Sequence, residues 1–329
     1  MIFRENSIND FFNSKAFALL MALAMIVISY LDCTIWQDRL SISNSHGIFF
    51  PSLAQGFSNI TLSVTANCIC ILIVSVMLVA LNKTFNFIRS VTWVYASVFM
   101  MLNASNPITS GMLYSGTIIS LAVAIIAFAM FASFEQRRSQ RNVFTAFAML
   151  ATLSMFQYAF LYLLPVVALG FMLMKVMNLR SFLAMIIGIV TPFWIVLGLQ
   201  LANFSDFALP SYESFWTELQ RPQMHINIIG MVLIALLTIG LVCANLLHII
   251  TYKLQVRAYN GFFVYLAVFT SLMLAIDYRN AFNYLPVLHL CLGVQFAHFF
   301  TTNTHTRRYI AVIVLLLLSV AMRVANHIF

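Results

Sequence analysis

Charge is scarce in this chain. Only 8% of its residues are Asp, Glu, Lys or Arg, against about 25% in an average soluble domain. Glycine and proline are few, at 11 and 7 residues, which excludes collagen-like and linker-like chains. The five cysteines, Cys33, Cys68, Cys70, Cys243 and Cys291, form no framework, and Cys68-x-Cys70 lacks zinc or redox spacing. A free Cys in an apolar run acts as a small hydrophobe, so no disulfide is implied. There is no Gly-rich phosphate loop, no His-Glu-x-x-His and no Gly-x-Ser-x-Gly. Nucleotide-driven chemistry and metalloprotease or serine-hydrolase chemistry therefore have no sequence support. The net charge of +8 is spread in ones, twos and threes between apolar runs. A polyanion reader needs a broad basic patch, so no nucleic-acid partner is expected.

What is abundant is apolar. Hydrophobic residues make up 62% of the 329, with 31 Phe and 18 Met. A soluble fold of this length has too little interior for that surface, so lipid must be the solvent for most of it. The expected class is all-α and polytopic, a single transmembrane domain over residues 1–329 with the lipid bilayer as its main partner. Residues 1–15 are polar and Ala16–Leu31 is apolar, as in a signal peptide. No small-x-small cleavage site follows, so an uncleaved first span is expected.

Basic residues decide the threading. Arg4/Lys15, Lys83/Arg89, Arg137/Arg138/Arg141, Lys175/Arg180, Lys253/Arg257 and Arg307/Arg308 all stand where apolar runs stop. The positive-inside rule places them together on the cytoplasmic face. Clear spans are then 16–31, 61–81, 112–134, 182–202, 226–251, 261–276, 284–300 and 309–325. The apolar run 143–176 as one straight helix would be about 50 Å long, with basic clusters on opposite faces. A hairpin turning near Gln157–Leu161 keeps both inside. The same parity makes 91–102 and 112–134 a hairpin, turning through Asn103, Asn106, Pro107 and Gly111. About eleven spans result, N-terminus cytoplasmic and C-terminus outside. Of the 17 basic residues, 13 fall inside and four (Arg39, Arg221, Arg279, Arg323) outside.

The longest outward loops are 32–60 and 203–225. Asp32 ends the first span and Asp38 follows six residues later. A carboxylate there either rests in water at a helix end or serves as a general base or phosphate-metal ligand. Trp36 and Trp216 read as interface anchors. Asp277-x-Arg279 either caps a turn as an ion pair or clamps an oxyanion of substrate, with Arg221 as a further substrate contact. Glu213, Glu218 and Arg221 read as a solvated helical face. No Asp, Glu, Lys or Arg is expected near mid-membrane, which argues against ion-coupled transport. Asn67 and Asn245 are expected to bond neighbouring helices, and His289 either does the same or relays protons.

The stretch 142–201 carries Phe156-Gln-Tyr158, Leu161-Tyr-Leu-Leu-Pro165, Asn178-Leu-Arg180 and Ile187-Gly188-Ile-Val-Thr191-Pro192-Phe193. It resembles a family of uncharacterised many-span inner-membrane proteins common in Bacteroidota, with Ser181 where that family has Glu. The resemblance implies an inner-membrane, multi-pass fold and no particular activity. Loop placement and span order are similar, more distantly, to C-type membrane glycosyltransferases. That likeness implies Asp32 and Asp38 as catalytic carboxylates and a lipid-linked sugar as substrate, with a divalent cation as the cofactor. Without it no cofactor is expected. The two functional expectations are a non-enzymatic envelope component or transporter, with a possible envelope protein partner, and such a transferase.

Overall fold

A computed structural model describes residues 2–35, 46–57, 59–88, 93–136, 139–208 and 222–328. These residues fold as helices and short connections. In chain order the helices are α1 (Ile2–Phe12), α2 (Lys15–Ile35), α3 (Ile60–Phe85), α4 (Val94–Ala104), α5 (Pro107–Ser110), α6 (Ser115–Phe131), α7 (Gln140–Ser154), α8 (Ala159–Tyr162), α9 (Leu164–Leu173), α10 (Leu179–Gly198), α11 (Pro222–Ile250), α12 (Leu254–Ile276), α13 (Ala281–Thr302) and α14 (His305–Ile328). Seven of the described helices, α2, α3 and α10 to α14, are long and apolar enough to cross a membrane. Lipid offers no hydrogen bonds, so each span must satisfy its own backbone, and α-helix does so within one segment. Local chemistry sets several boundaries. Asn59 caps α3 through Thr61 N at 3.0 Å, and Asn178 caps α10 through Ser181 N at 2.9 Å. Asn106 caps α5, whose first residue is Pro107.

Both ambiguous apolar runs are broken where turns were expected. The run 143–176 leaves helix after Ser154 and resumes at α8 and α9. Its two ends return to one place: Glu135 N donates to Met174 O at 3.0 Å, and Lys175 pairs with Glu135 at 2.9 Å. A straight rod would hold them apart, so this is a hairpin. Glu135 and Lys175 both take left-handed backbone, φ 56° and 58°, where the chain must reverse out of a helix without glycine. The earlier run behaves alike. Phe87, just before α4, packs on Phe131 at the end of α6 with ring centroids 5.7 Å apart.

These hairpins give the bundle two chemically different ends. One gathers the helix ends near Lys83, Lys175, Arg257 and Arg308: Phe85 and Phe131 pack on Tyr259, Lys175 pairs with Glu135, and His298 bonds Asn260. The other gathers Asp32, bonded to Ser110 of the 105–114 turn, and the α7–α8 break, bonded to residues 48–50; Ser52 on Ser115 and Gly116 beside Phe282 bring in the start of α13, next to Asp277. At this second end residues 46–50 lie along the α7–α8 break. Ile48 N donates to Ser154 O at 3.2 Å, and Phe50 N donates to Met155 O at 2.9 Å. Those carbonyls lose their helical donors where α7 stops, and the loop supplies replacements.

The axis of the bundle is α13. Of its apolar stretch 83% is buried, against 11% for α10. It packs against α4, α6, α11 and α12, while α10 lies on α7. Between helices in lipid there is little hydrophobic drive, so close backbone approach and dispersion hold the bundle. Gly293 and Gly116 permit that approach. A Cβ on Gly293 would sit 2.8 Å from Tyr95 O of α4, and one on Gly116 2.6 Å from Phe282 O of α13. At the basic end a cluster of rings closes the core, with Phe131 stacked on Tyr259 at 4.2 Å.

Candidate functional site

Asp32 lies within α2 and is fully buried, not solvated at a loop edge. This corrects the placement of the residue at a water-exposed helix end. The helix runs one turn beyond the apolar run, to Ile35, and carries Asp32 inward with it. Its carboxylate is engaged on both oxygens. Oδ1 accepts from Arg323 Nη2 of α14, and Oδ2 accepts from Ser110 Oγ of α5 at 3.0 Å. Arg323 Nη1 donates to Ser110 Oγ at 2.9 Å and to Ala104 O at 3.2 Å. The ladder fixes α2, α4, α5 and α14 together. The side chains are 1% and 12% exposed, so the pair is a buried one. Burial of two charges is tolerable only when each finds the other and further hydrogen bonds, which is what Ser110 and Ala104 supply.

Asp277 ends α12 and is buried as well, at 7% exposure. Its Oδ1 accepts from Asn280 Nδ2 at 3.0 Å and its Oδ2 from Tyr284 OH at 2.8 Å. It caps the turn from α12 into α13. The backbone of Arg279 belongs to that turn, a single 3₁₀ turn over Tyr278–Asn280. The Arg279 side chain, Asp38, Arg221, Trp36, Trp216, Glu213 and Glu218 lie outside the described residues. Asp32 is held by Ser110 of α5 and Arg323 of α14, and Asp277 by Asn280 and Tyr284 of its own turn. Among the described residues no group of three or more His, Cys, Asp or Glu gathers as metal ligands would.

The polar chemistry of the interior runs along α13. That helix contains no Asp, Glu, Lys or Arg, yet Asn283, His289, Gln295 and His298 are all buried in it. Near the basic end Gln295 and His298 find partners. Asn245 Nδ2 of α11 donates to Gln295 O at 2.7 Å, and His298 Nε2 bonds Asn260 Oδ1 of α12. Asn245 thus bridges helices as its sequence position suggests, and so does Asn67, which donates to Thr109 O and Gly111 O, both at 3.0 Å. His289 does not. Among the described residues neither ring nitrogen has a hydrogen-bond partner, nor does either amide atom of Asn283, nor Thr117 Oγ1 on α6. An unpaired buried polar group costs about 1–3 kcal/mol, so native proteins leave few of them without a reason.

Sequence reasoning missed two things here. Arg323 was placed only by sign and side; nothing local pairs it with a residue 291 positions away. The central role of α13 did leave a signal. Among the seven long helices it is the least apolar, and in lipid a span that is less apolar belongs inside. Comparison with family models, with curated proteins and with solved structures returns no match.

Proposed function

We propose that this chain is a non-enzymatic, multi-pass protein of the inner (plasma) membrane and that it works as a transporter. In this reading α4, α6, α7 and α8–α9 join the seven long helices, giving eleven spans. The basic end faces the cytoplasm with the N-terminus, and the C-terminus lies outside. The charge distribution supports that orientation through the positive-inside rule. The likeness of 142–201 to Bacteroidota inner-membrane proteins accords with the location and adds no activity.

The observation that carries transport is α13. A central helix without charges, lined over its length by buried Asn, His and Gln, suits a polar but uncharged traveller. Beyond its start, where Tyr284 bonds the Asp277 carboxylate, the helix offers an ion no counter-charge of its own. The test is reconstitution of the full chain into liposomes loaded with a panel of sugars, polyols, amino acids and ions. Faster release of a neutral solute than from protein-free liposomes is expected. Equal release of every solute would refute transport.

An outward-facing transferase of lipid-linked sugar, with Asp32 or Asp38 as base and Asp277, Arg279 and Arg221 at the substrate, has weaker support. The Asp32 carboxylate is committed to Arg323 and Ser110, so the chemistry would rest on Asp38. Under that reading cells lacking the protein accumulate a lipid-linked sugar; an unchanged glycan and lipid-intermediate profile removes it.

A further inference from the structure

We infer that a groove between α2, α3 and α4 holds one acyl chain of a phospholipid whose headgroup carries net negative charge. The site needs only the membrane setting and stands apart from the transport reading. The three helices pack on one another, but small side chains keep them from closing. Ala18 and Ala22 stand four apart on one face of α2, and Ala96 lines the same space from α4. A groove of about 180 Å³ is left, with Leu72 and Val76 of α3 as its far wall. Its floor, Ala96 and Met100, is buried, while Leu19 and Val76 on its rims are exposed, so it opens to lipid. The one hydroxyl in the lining, Ser75 Oγ, donates to Ile71 O of its own helix at 2.8 Å. An alkyl chain suits such a lining, and a polar solute would lose its hydrogen bonds there.

The mouth of the groove is at the basic end. Phe87 packs on Phe131 there, and α4 begins a few residues later. Asn13 Oδ1 accepts from Trp93 N at 3.2 Å, which ties the start of α2 to the start of α4. Lys15 and Trp93 both line the groove at this point, and from them it runs to Ala22 and Met100, about 10 Å along the helices. Among the described residues Lys15 has no ion-pair partner. The nearest acid in sequence, Asp10, is exposed on α1 and does not line the groove. A Lys whose stem lies along apolar surface carries its ammonium out to the headgroup layer, and Trp concentrates at the same level. Tail and head act differently. Hydrocarbon is as apolar as the groove, so a seated chain gains by close fit and selects little; the unpaired ammonium selects an anionic head. A second groove, about 270 Å³ between α2, α4 and α14, ends on Arg323. Asp32 already answers that charge, so no cation is left there for a headgroup.

The test measures lipid binding to the full chain in detergent by native mass spectrometry, with dioleoyl phosphatidylglycerol and dioleoyl phosphatidylethanolamine added in turn. The two share their tails and differ in head charge. Wild type is expected to hold one phosphatidylglycerol about fivefold more tightly than phosphatidylethanolamine, the preference one Lys near an anionic head provides. Lys15→Gln should bring that ratio close to one and leave phosphatidylethanolamine binding as it was. Ala22→Phe fills the groove and should weaken both lipids alike, keeping the ratio; Val76→Phe on the far wall takes its place if that variant does not fold. Lys83→Gln makes the same charge change at the exposed end of α3, away from the lining, and should match wild type. Equal wild-type affinity for the two lipids overturns the inference. So does an equal loss of preference in Lys15→Gln and Lys83→Gln, which means a diffuse basic surface, and so does unchanged binding in a folded groove variant, which means the chain lies elsewhere. Glycerol phosphate has the head without the chain and should not compete; competition would make this a free-phosphate site and remove the lipid.

Discussion

Replacing Arg323 by methionine removes one half of a buried ion pair and leaves the other in place. Asp32 is 1% exposed at its side chain and Arg323 12%, so the modest value of surface pairs, about 0–1 kcal/mol, does not apply. Losing one partner of a buried pair costs about 3–5 kcal/mol, mostly from the uncompensated charge. Arg323→Met should fall in that range. Asp32 is short and sits inside α2, so it cannot follow its lost partner to water, and Ser110 offers it only a neutral donor. Asp32→Leu should cost less. Arg323 lies in the last two turns of α14, and its long stem can carry the guanidinium toward the membrane surface. The double variant Asp32→Leu/Arg323→Met should recover most of the loss, since an apolar pair of similar volume is often neutral or stabilising. The assay is unfolding of the purified proteins in mixed micelles by SDS titration, followed by helical circular dichroism and read as a double-mutant cycle. Single variants within about 1 kcal/mol of wild type, adding without coupling, would match an exposed pair and refute the account of this site.

Other expectations bear on separate parts of the bundle. Gly293→Leu should destabilise by about 1–3 kcal/mol or more, because its Cβ would meet Tyr95 O at 2.8 Å; wild-type unfolding and yield for this variant would show that α4 does not lie on α13. Glu135→Gln should change stability by no more than about 1 kcal/mol, as Glu135 and Lys175 are 50% and 53% exposed; a larger loss in the same titration would mean the pair is buried in the membrane-bound protein. Cysteines introduced at Lys253 and at Asp206 should react with an impermeant thiol reagent from opposite faces of the membrane, Lys253 from the cytoplasm. Labelling of both from one face would break the eleven-span threading.

Much of the fold was legible because lipid imposes simple rules. Apolar length marked the long helices, and basic ends demanded hairpins in 91–134 and 143–176. The contacts of Glu135 with Met174 and Lys175 show why the second demand held: both basic flanks of that run must reach the same surface. The turn formers Asn106 and Pro107 then fixed where α4 could reverse into α6. The candidate site was less legible. Asp32 read as a loop acid because the apolar run ends before it, yet the helix continues to Ile35 and buries it. A helix in lipid can extend past its last apolar residue when a partner charge waits, and Arg323 is invisible from Asp32 in sequence.

The sequence by itself determined that this is a helical membrane protein, where its chain can reverse, and how its charges divide between two ends. Those follow from hydrocarbon thickness, backbone satisfaction and the cost of moving Lys and Arg across lipid, all of which act on short stretches of chain. Tertiary structure alone decided which helices pack on α13, that Asp32 is consumed by Arg323, and that Asn283, His289 and Thr117 find no partner among the described residues. These depend on which helix faces which, and in lipid that choice rests on close packing at residues such as Gly116 and Gly293 and on a few buried polar groups. Periodicity and charge do not encode such contacts, so only the assembled bundle shows them.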